Sequence, residues 1–253
     1  MLDSQTFRNL KSSVQNRDLR VLLWDIDGTL MRSTAPGAWR EYFAPALEKV
    51  YGSSGKLAEV QVSGMTDTQI AYESLKDEGF TPERILGAKE NLLKIFKEEM
   101  SRVLSENKGA HELLPGAREI LEAVSQRQEF VCALLTGNLS VAAEIKLRSF
   151  DLWKYFENAP NIFGEISHDR RLLAKAAVEK ISEHLGVKLK PEQFIVIGDT
   201  PNDIACARSI GAKMVSVATG RNNLKEKLAE FKPDVLIDNL AETERILRIF
   251  ENL

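Results

Sequence analysis

Two carboxylates separated by one residue, Asp25 and Asp27, are followed at once by Gly28 and Thr29. Carboxylates this close repel, so they need a cation, a shared proton or solvent. Two more acids stand in Gly198-Asp199-Thr200-Pro201-Asn202-Asp203, and Thr136-Gly137-Asn138 offers a hydroxyl. Each motif alone is weak, because an Asp-Gly turn after a strand is common. Together, four carboxylates and a hydroxyl describe a divalent cation site with room for a phosphate. Oxygen-only ligation suits Mg²⁺, which keeps several waters and completes its octahedron with phosphate oxygens. An aspartate beside such a site can act as a nucleophile and form an aspartyl-phosphate.

These residues must be carried to one place. Val21–Trp24, Phe130–Leu135 and Phe194–Ile197 are continuous apolar runs that end at the three motifs. Such runs read as strands buried on both faces, as in parallel sheets. Lys213–Val217 and Asp234–Ile237 read as two more strands. Helical stretches at Ala117–Arg127, 140–148, Leu172–Leu185, Thr200–Arg208, 222–230 and 241–252 alternate with them. Alternation of this kind implies right-handed crossovers and a Rossmann-like, three-layer α/β core, with the ligand at the carboxyl ends of the strands. The pattern changes between Ala38 and Asn107. Trp39, Tyr42, Phe43, Leu47 and Val50 recur at helical spacing, Thr81-Pro82 is a helix start, and no strand interrupts. The expected organisation is a core of residues 1–32 and 112–253 with a helical insertion at 33–111. The linkers 31–37 and 107–116 would hinge it, and 1–18 would form a short helix or loose arm.

Composition narrows the classes. Of 253 residues, 43% are hydrophobic and 28% charged, and the net charge is −3. That balance is globular and gives no electrostatic reason to expect a nucleic-acid or membrane partner. Cys132 and Cys206 sit in apolar or small-residue surroundings and read as core. His111, His168 and His184 lack metal spacing and read as surface or locally hydrogen-bonded groups. No apolar run approaches the ~20 residues of a membrane span. Few cysteines and no signal peptide lead to a cytoplasmic expectation.

The set Asp25-Ile-Asp27-Gly28-Thr29, Thr136, an intervening basic residue and Gly198-Asp199-Thr-Pro-Asn-Asp203 resembles the four motifs of the haloacid dehalogenase superfamily of phosphohydrolases. Leu114-Pro115-Gly116-Ala117 and Gly64-Met65-Thr66-Asp67 resemble segments of its phosphoglycolate-phosphatase-like branch. The resemblance implies that Asp25 attacks phosphorus and that Asp27 protonates the leaving alcohol and then activates water. It implies that Thr136, Gly137 and Asn138 hold phosphate oxygens. It also implies Mg²⁺ ligation by Asp25, the Asp27 carbonyl and Asp199, with Asp203 binding through water or orienting the ligands. The basic residue is Arg170 by position, with Arg171 and Lys175 as alternatives. The helical insertion at 33–111 resembles that superfamily's helical cap, in which Gly64, Thr66 and Asp67 are the candidates for substrate contact, although Thr66 or Asp67 also fits a helix cap. The acid at Asp27 argues against a dehalogenase, whose halide leaving group needs no proton. The expected substrate is a small phosphorylated metabolite, handled by a monomer or homodimer. A phosphomutase and a non-catalytic binding protein on the same fold are the rivals.

Overall fold

The computed structural model describes residues 19–106, 111–221 and 225–253. The expected arm at 1–18, Lys108-Gly109-Ala110 and the first turn of the 222–230 helix lie outside the described residues.

The chain begins with β1 (Arg20–Trp24), then β2 (Met31–Ser33), and passes into helices α1 (Arg40–Tyr51), α2 (Asp67–Leu75), α3 (Pro82–Gly87) and α4 (Lys89–Ser105). It returns through β3 (His111–Leu113), α5 (Ala117–Ser125), β4 (Phe130–Leu134) and α6 (Ser140–Arg148). Next come α7 (Arg170–Leu185), β5 (Phe194–Gly198), α8 (Pro201–Ser209), β6 (Lys213–Val217), α9 (Lys225–Glu230), β7 (Val235–Ile237) and α10 (Thr243–Asn252). Five strands form one parallel sheet in the order β4-β1-β5-β6-β7, so the protein is α/β with β1 central between β4 and β5.

The period-2 geometry of β1 explains its uninterrupted apolarity. Leu22 and Trp24 enter a core under α5 and α10, with Ile120, Leu121, Val124, Leu247 and Phe250. Val21 and Leu23 enter the opposite core, under α7 and α8, with Leu173, Ala177, Ile181 and Ile204. Burial of each such side chain contributes about 1.5–3 kcal/mol. Trp24 is fully buried and meets Phe250 edge-on at 5.9 Å.

A third cluster joins α1–α4 through Tyr42, Phe43, Ile70, Leu92, Phe96 and Met100. Phe96 packs edge-on against Tyr42 at 5.3 Å and Phe43 at 5.1 Å. This cluster also takes in Leu139 and Ala142 beside α6, so the helical layer rests directly on that helix.

Three features differ from the sequence reading. The linkers contain β2 and β3, which pair antiparallel with Arg32 opposite Glu112 and an ion pair of 2.7 Å between them. Three residues per strand are too few to show a period. Residues 161–164, which the sequence reads as a short strand, form only a single bridge between Leu135 and Ile162. His111 is not a surface group: it sits half-buried on the cavity described below.

Candidate active site

The motifs meet because three strand ends and two helix starts converge. The Asp25 N–H donates to Ile197 O at 3.0 Å, which extends the β1–β5 ladder to the carboxylate itself. Gly28 then turns at φ +92°, where a Cβ would lie 2.4 Å from Asp199 Oδ2. At the end of β5, Thr200 caps α8. Its Oγ1 accepts from the Asp203 N–H at 3.3 Å, and Asp203 Oδ2 accepts from the Thr200 N–H at 3.0 Å. This capping box fixes Asp203 facing inward.

Arg170 is set by the Asp169 cap at the start of α7. Its Nη2 donates to Asp25 Oδ1 at 2.9 Å and also to Asp203 Oδ1. Its Nη1 reaches Gly64 O, in the loop before α2, at 3.1 Å. Arg171 instead turns to Asp169 with its side chain 66% exposed, and Lys175 faces outward. Ligand oxygens of Asp25, Asp199 and Asp203 lie within 4.8 Å of one another, and all three residues are buried. Burial, with Asp203 and Asp27 nearby, pushes Asp25 up to about 7 against the pull of Arg170. Burial, then Asp203 and Asp25, pushes Asp199 well above the usual carboxylate range.

Asp27 lies apart from this cluster and opens onto the cavity, its side chain 43% exposed. Asn138 Nδ2 donates to Asp27 Oδ2 at 2.7 Å, and Lys146 Nζ donates to the same oxygen at 2.6 Å. Partial enclosure raises Asp27, but Lys146 and Asn138 outweigh it and hold the carboxyl below its ordinary value. Thr136 is fully buried and accepts from Asn138 Nδ2 at 2.9 Å.

A cavity of about 320 Å³ opens above these groups. Asp25, Asp27, Gly137, Asn138, Arg170 and Asp199 line its floor, and Gly64 and Asp67 line one side. Asp203 and Thr136 stand behind the floor. Thr66 does not reach the cavity; it is fully buried and its Oγ1 accepts from the Gln69 N–H at 3.1 Å, capping α2. Asp67 Oδ2 accepts from the Leu139 N–H at 2.7 Å, and burial pushes its carboxyl up to about 7. The opposite wall is apolar and aromatic, with Trp39, Tyr42, Phe43 and Phe96.

Lys146, which the sequence reading does not single out, and His111, which it reads as a surface or locally hydrogen-bonded group, also line the cavity. Burial, followed by the nearby Lys146 charge, pushes His111 down to about 4. A signal for Lys146 existed: Asn138, Ala142 and Lys146 are spaced by four, and Lys146 falls among the buried positions of α6.

The donor set fits a divalent cation. With the three carboxylates ionised, Arg170 leaves a net charge of −2 in a buried site, which is costly without a counter-charge. Asp199 Oδ1 is buried and has no hydrogen-bond partner among the described residues, although burial of such an atom is unfavourable. All the ligand atoms are oxygen, the preference of Mg²⁺.

An acid cluster at the strand ends thus lies under a helical layer. The haloacid dehalogenase-like hydrolase family matches residues 19–211, and the chain belongs to that family. It is an enzyme of the phosphatase type. The chain is 24% identical over 246 residues to a phosphoglycolate phosphatase of Vibrio parahaemolyticus, covering 92% of this chain and 98% of the relative. Its fold is similar to that of a hydrolase from Pseudomonas syringae, with a TM-score of 0.60 and 20% identity over 91% of this chain and 98% of the other. It is likewise similar to CbbY from Rhodobacter sphaeroides in complex with phosphate, with a TM-score of 0.60 and 17% identity over 88% and 96%.

Proposed function

We propose that the protein is a Mg²⁺-dependent phosphomonoesterase acting on a small phosphorylated metabolite through an aspartyl-phosphate at Asp25. The observation that carries this reading is the division of labour between two carboxylates. Asp25 sits buried with Asp199, Asp203 and Arg170, whereas Asp27 faces the cavity on its own hydrogen bonds.

In this reading Asp25 attacks phosphorus in line while Arg170 neutralises charge on the nucleophile and the phosphoryl oxygens. Asp199, Asp25 and the Asp27 carbonyl would hold the cation, with Asp203 binding it through water or orienting the ligands. When bound, the cation offsets repulsion between the phosphate and the carboxylates. Backbone N–H groups of Gly137 and Asn138 take phosphate oxygens, and the Thr136 hydroxyl behind them holds the Asn138 side chain in place. Lys146 and Asn138 hold Asp27 ionised in the free protein, so in this reading it takes up a proton when the phosphate dianion arrives, gives that proton to the leaving oxygen, and afterwards accepts one from the water that cleaves the aspartyl-phosphate.

Residues 33–111 act as a cap in this proposal, hinged at the β2–β3 ribbon. Its loop is held on the core by Gly64 O, which accepts from Arg170 and from Asn202 Nδ2 at 2.8 Å, and by the Asp67 N–H, which donates to Gly137 O at 2.7 Å. Closure of that loop excludes water from the reacting atoms. The test is release of inorganic phosphate from para-nitrophenyl phosphate and a panel of phosphorylated metabolites, with Mg²⁺ and with EDTA. Mg²⁺-dependent release is the expected result. Folded protein that releases none under either condition overturns the reading.

A further inference from the structure

We propose that Lys146 is a positioning residue, which holds the Asp27 carboxyl in the orientation that serves the leaving group. The inference rests on the phosphatase reading of the site. Lys146 lies on α6 at 5% exposure, among Ala142, Ala143 and Leu147. A buried ammonium is costly unless fully paired, and an apolar residue would suit that stripe better. Its pairing is specific: Nζ donates to Asp27 Oδ2 at 2.6 Å and to Asn138 Oδ1 at 2.6 Å.

The three side chains close a triangle, because Asn138 Nδ2 donates to the same Asp27 Oδ2 at 2.7 Å. Asn138 is itself tied to Thr136 Oγ1 at 2.9 Å. One oxygen of Asp27 is thus held by two donors. The other has no hydrogen-bond partner among the described residues, and the side chain opens onto the cavity. A carboxylate fixed by one oxygen presents the other at a defined angle, which is what proton transfer to a leaving oxygen requires. Lys146 also connects this orientation to the helical layer, since α6 carries Ala142 into the α1–α4 cluster.

The test uses two aryl esters of similar shape, phenyl phosphate and 2,4-dinitrophenyl phosphate. The first has a leaving group that needs protonation, and the second does not. Steady-state kcat/KM reports events up to the first irreversible step, before water enters. Lys146→Met is expected to lower kcat/KM for phenyl phosphate about 100-fold and for dinitrophenyl phosphate less than about threefold. In an Asp27→Asn background the same substitution should change either value by less than about threefold. Lys146→Gln, which keeps most of the stem but cannot span to Asp27, is the second variant if Lys146→Met does not fold, with the same selectivity expected. Equal loss on both esters would place the ammonium on the phosphoryl group instead and overturn the inference, as would no loss on either. Wild-type protein inactive on both esters overturns the phosphatase reading, and this inference with it.

Discussion

Asp25 and Arg170 illustrate how one buried pair serves two purposes. Each is less than a tenth exposed, and the guanidinium spans two carboxylates. Asp25→Asn is expected to reduce phosphate release at least about a thousandfold. Unfolding by denaturant should show little loss of stability in that variant, because the shape is kept and a repelling charge leaves. Arg170→Met is expected to do the opposite to stability. It strands Asp25 and Asp203 without a counter-charge, and in metal-free protein at pH 8 it should lower the unfolding free energy by about 3 kcal/mol. Equal stability of the Arg170 variant and the wild type, measured in urea, would refute that account.

At the scale of elements, the strand ends were legible and the cap contacts were not. Asp25, Asp27 and Asp199 announce themselves because an apolar run and the acid that ends it are adjacent in the chain. Arg170 could not be separated from Arg171 and Lys175, because the Asp169 cap decides which residue of the first turn faces the sheet. Lys146 reaches Asp27 across 119 positions, and its fourfold spacing from Asn138 and Ala142 places it on the buried face without naming its partner. The aromatic wall of α1 reads from sequence as packing, and only the fold turns Trp39 and Tyr42 toward the reacting groups. The loop before α2 carries a prediction of its own. Gly64 has φ +71°, and a Cβ there would lie 2.7 Å from Asn202 Nδ2 and from Thr200 Oγ1. Gly64→Ala is expected to cost the closed loop about 1–3 kcal/mol. Amide exchange at Asp67 should quicken by about tenfold or more, and KM should rise while the sheet amides remain protected.

For the whole molecule, the acid cluster sets a pH dependence. The folded values of Asp25 and Asp67 are raised to about 7, and that of Asp199 is raised as well. A carboxyl raised in the folded state favours folding fully below its unfolded value near 4, and that contribution is lost as pH rises through 7. Metal-free protein should therefore melt at a lower temperature at pH 8 than at pH 5. On the proposed reading Mg²⁺ would bind the ionised carboxylates, so its stabilising shift in melting temperature should be larger at pH 8. A shift of equal size at both pH values, by calorimetry, would contradict the placement of the cation among these groups.

The β2–β3 ribbon bears on the order in which the chain can assemble. Between β1 and its neighbour β4 lie roughly a hundred residues, and the entropy of closing a loop grows with the logarithm of its length. Once Met31 pairs with Leu113, the helical excursion is gathered into a side loop, and the effective separation of β1 from β4 drops to about two dozen residues. On the loop-length scaling this lowers the closure cost by about 1 kcal/mol. Strands β1 and β4 can then pair while α1–α4 are still finding their packing.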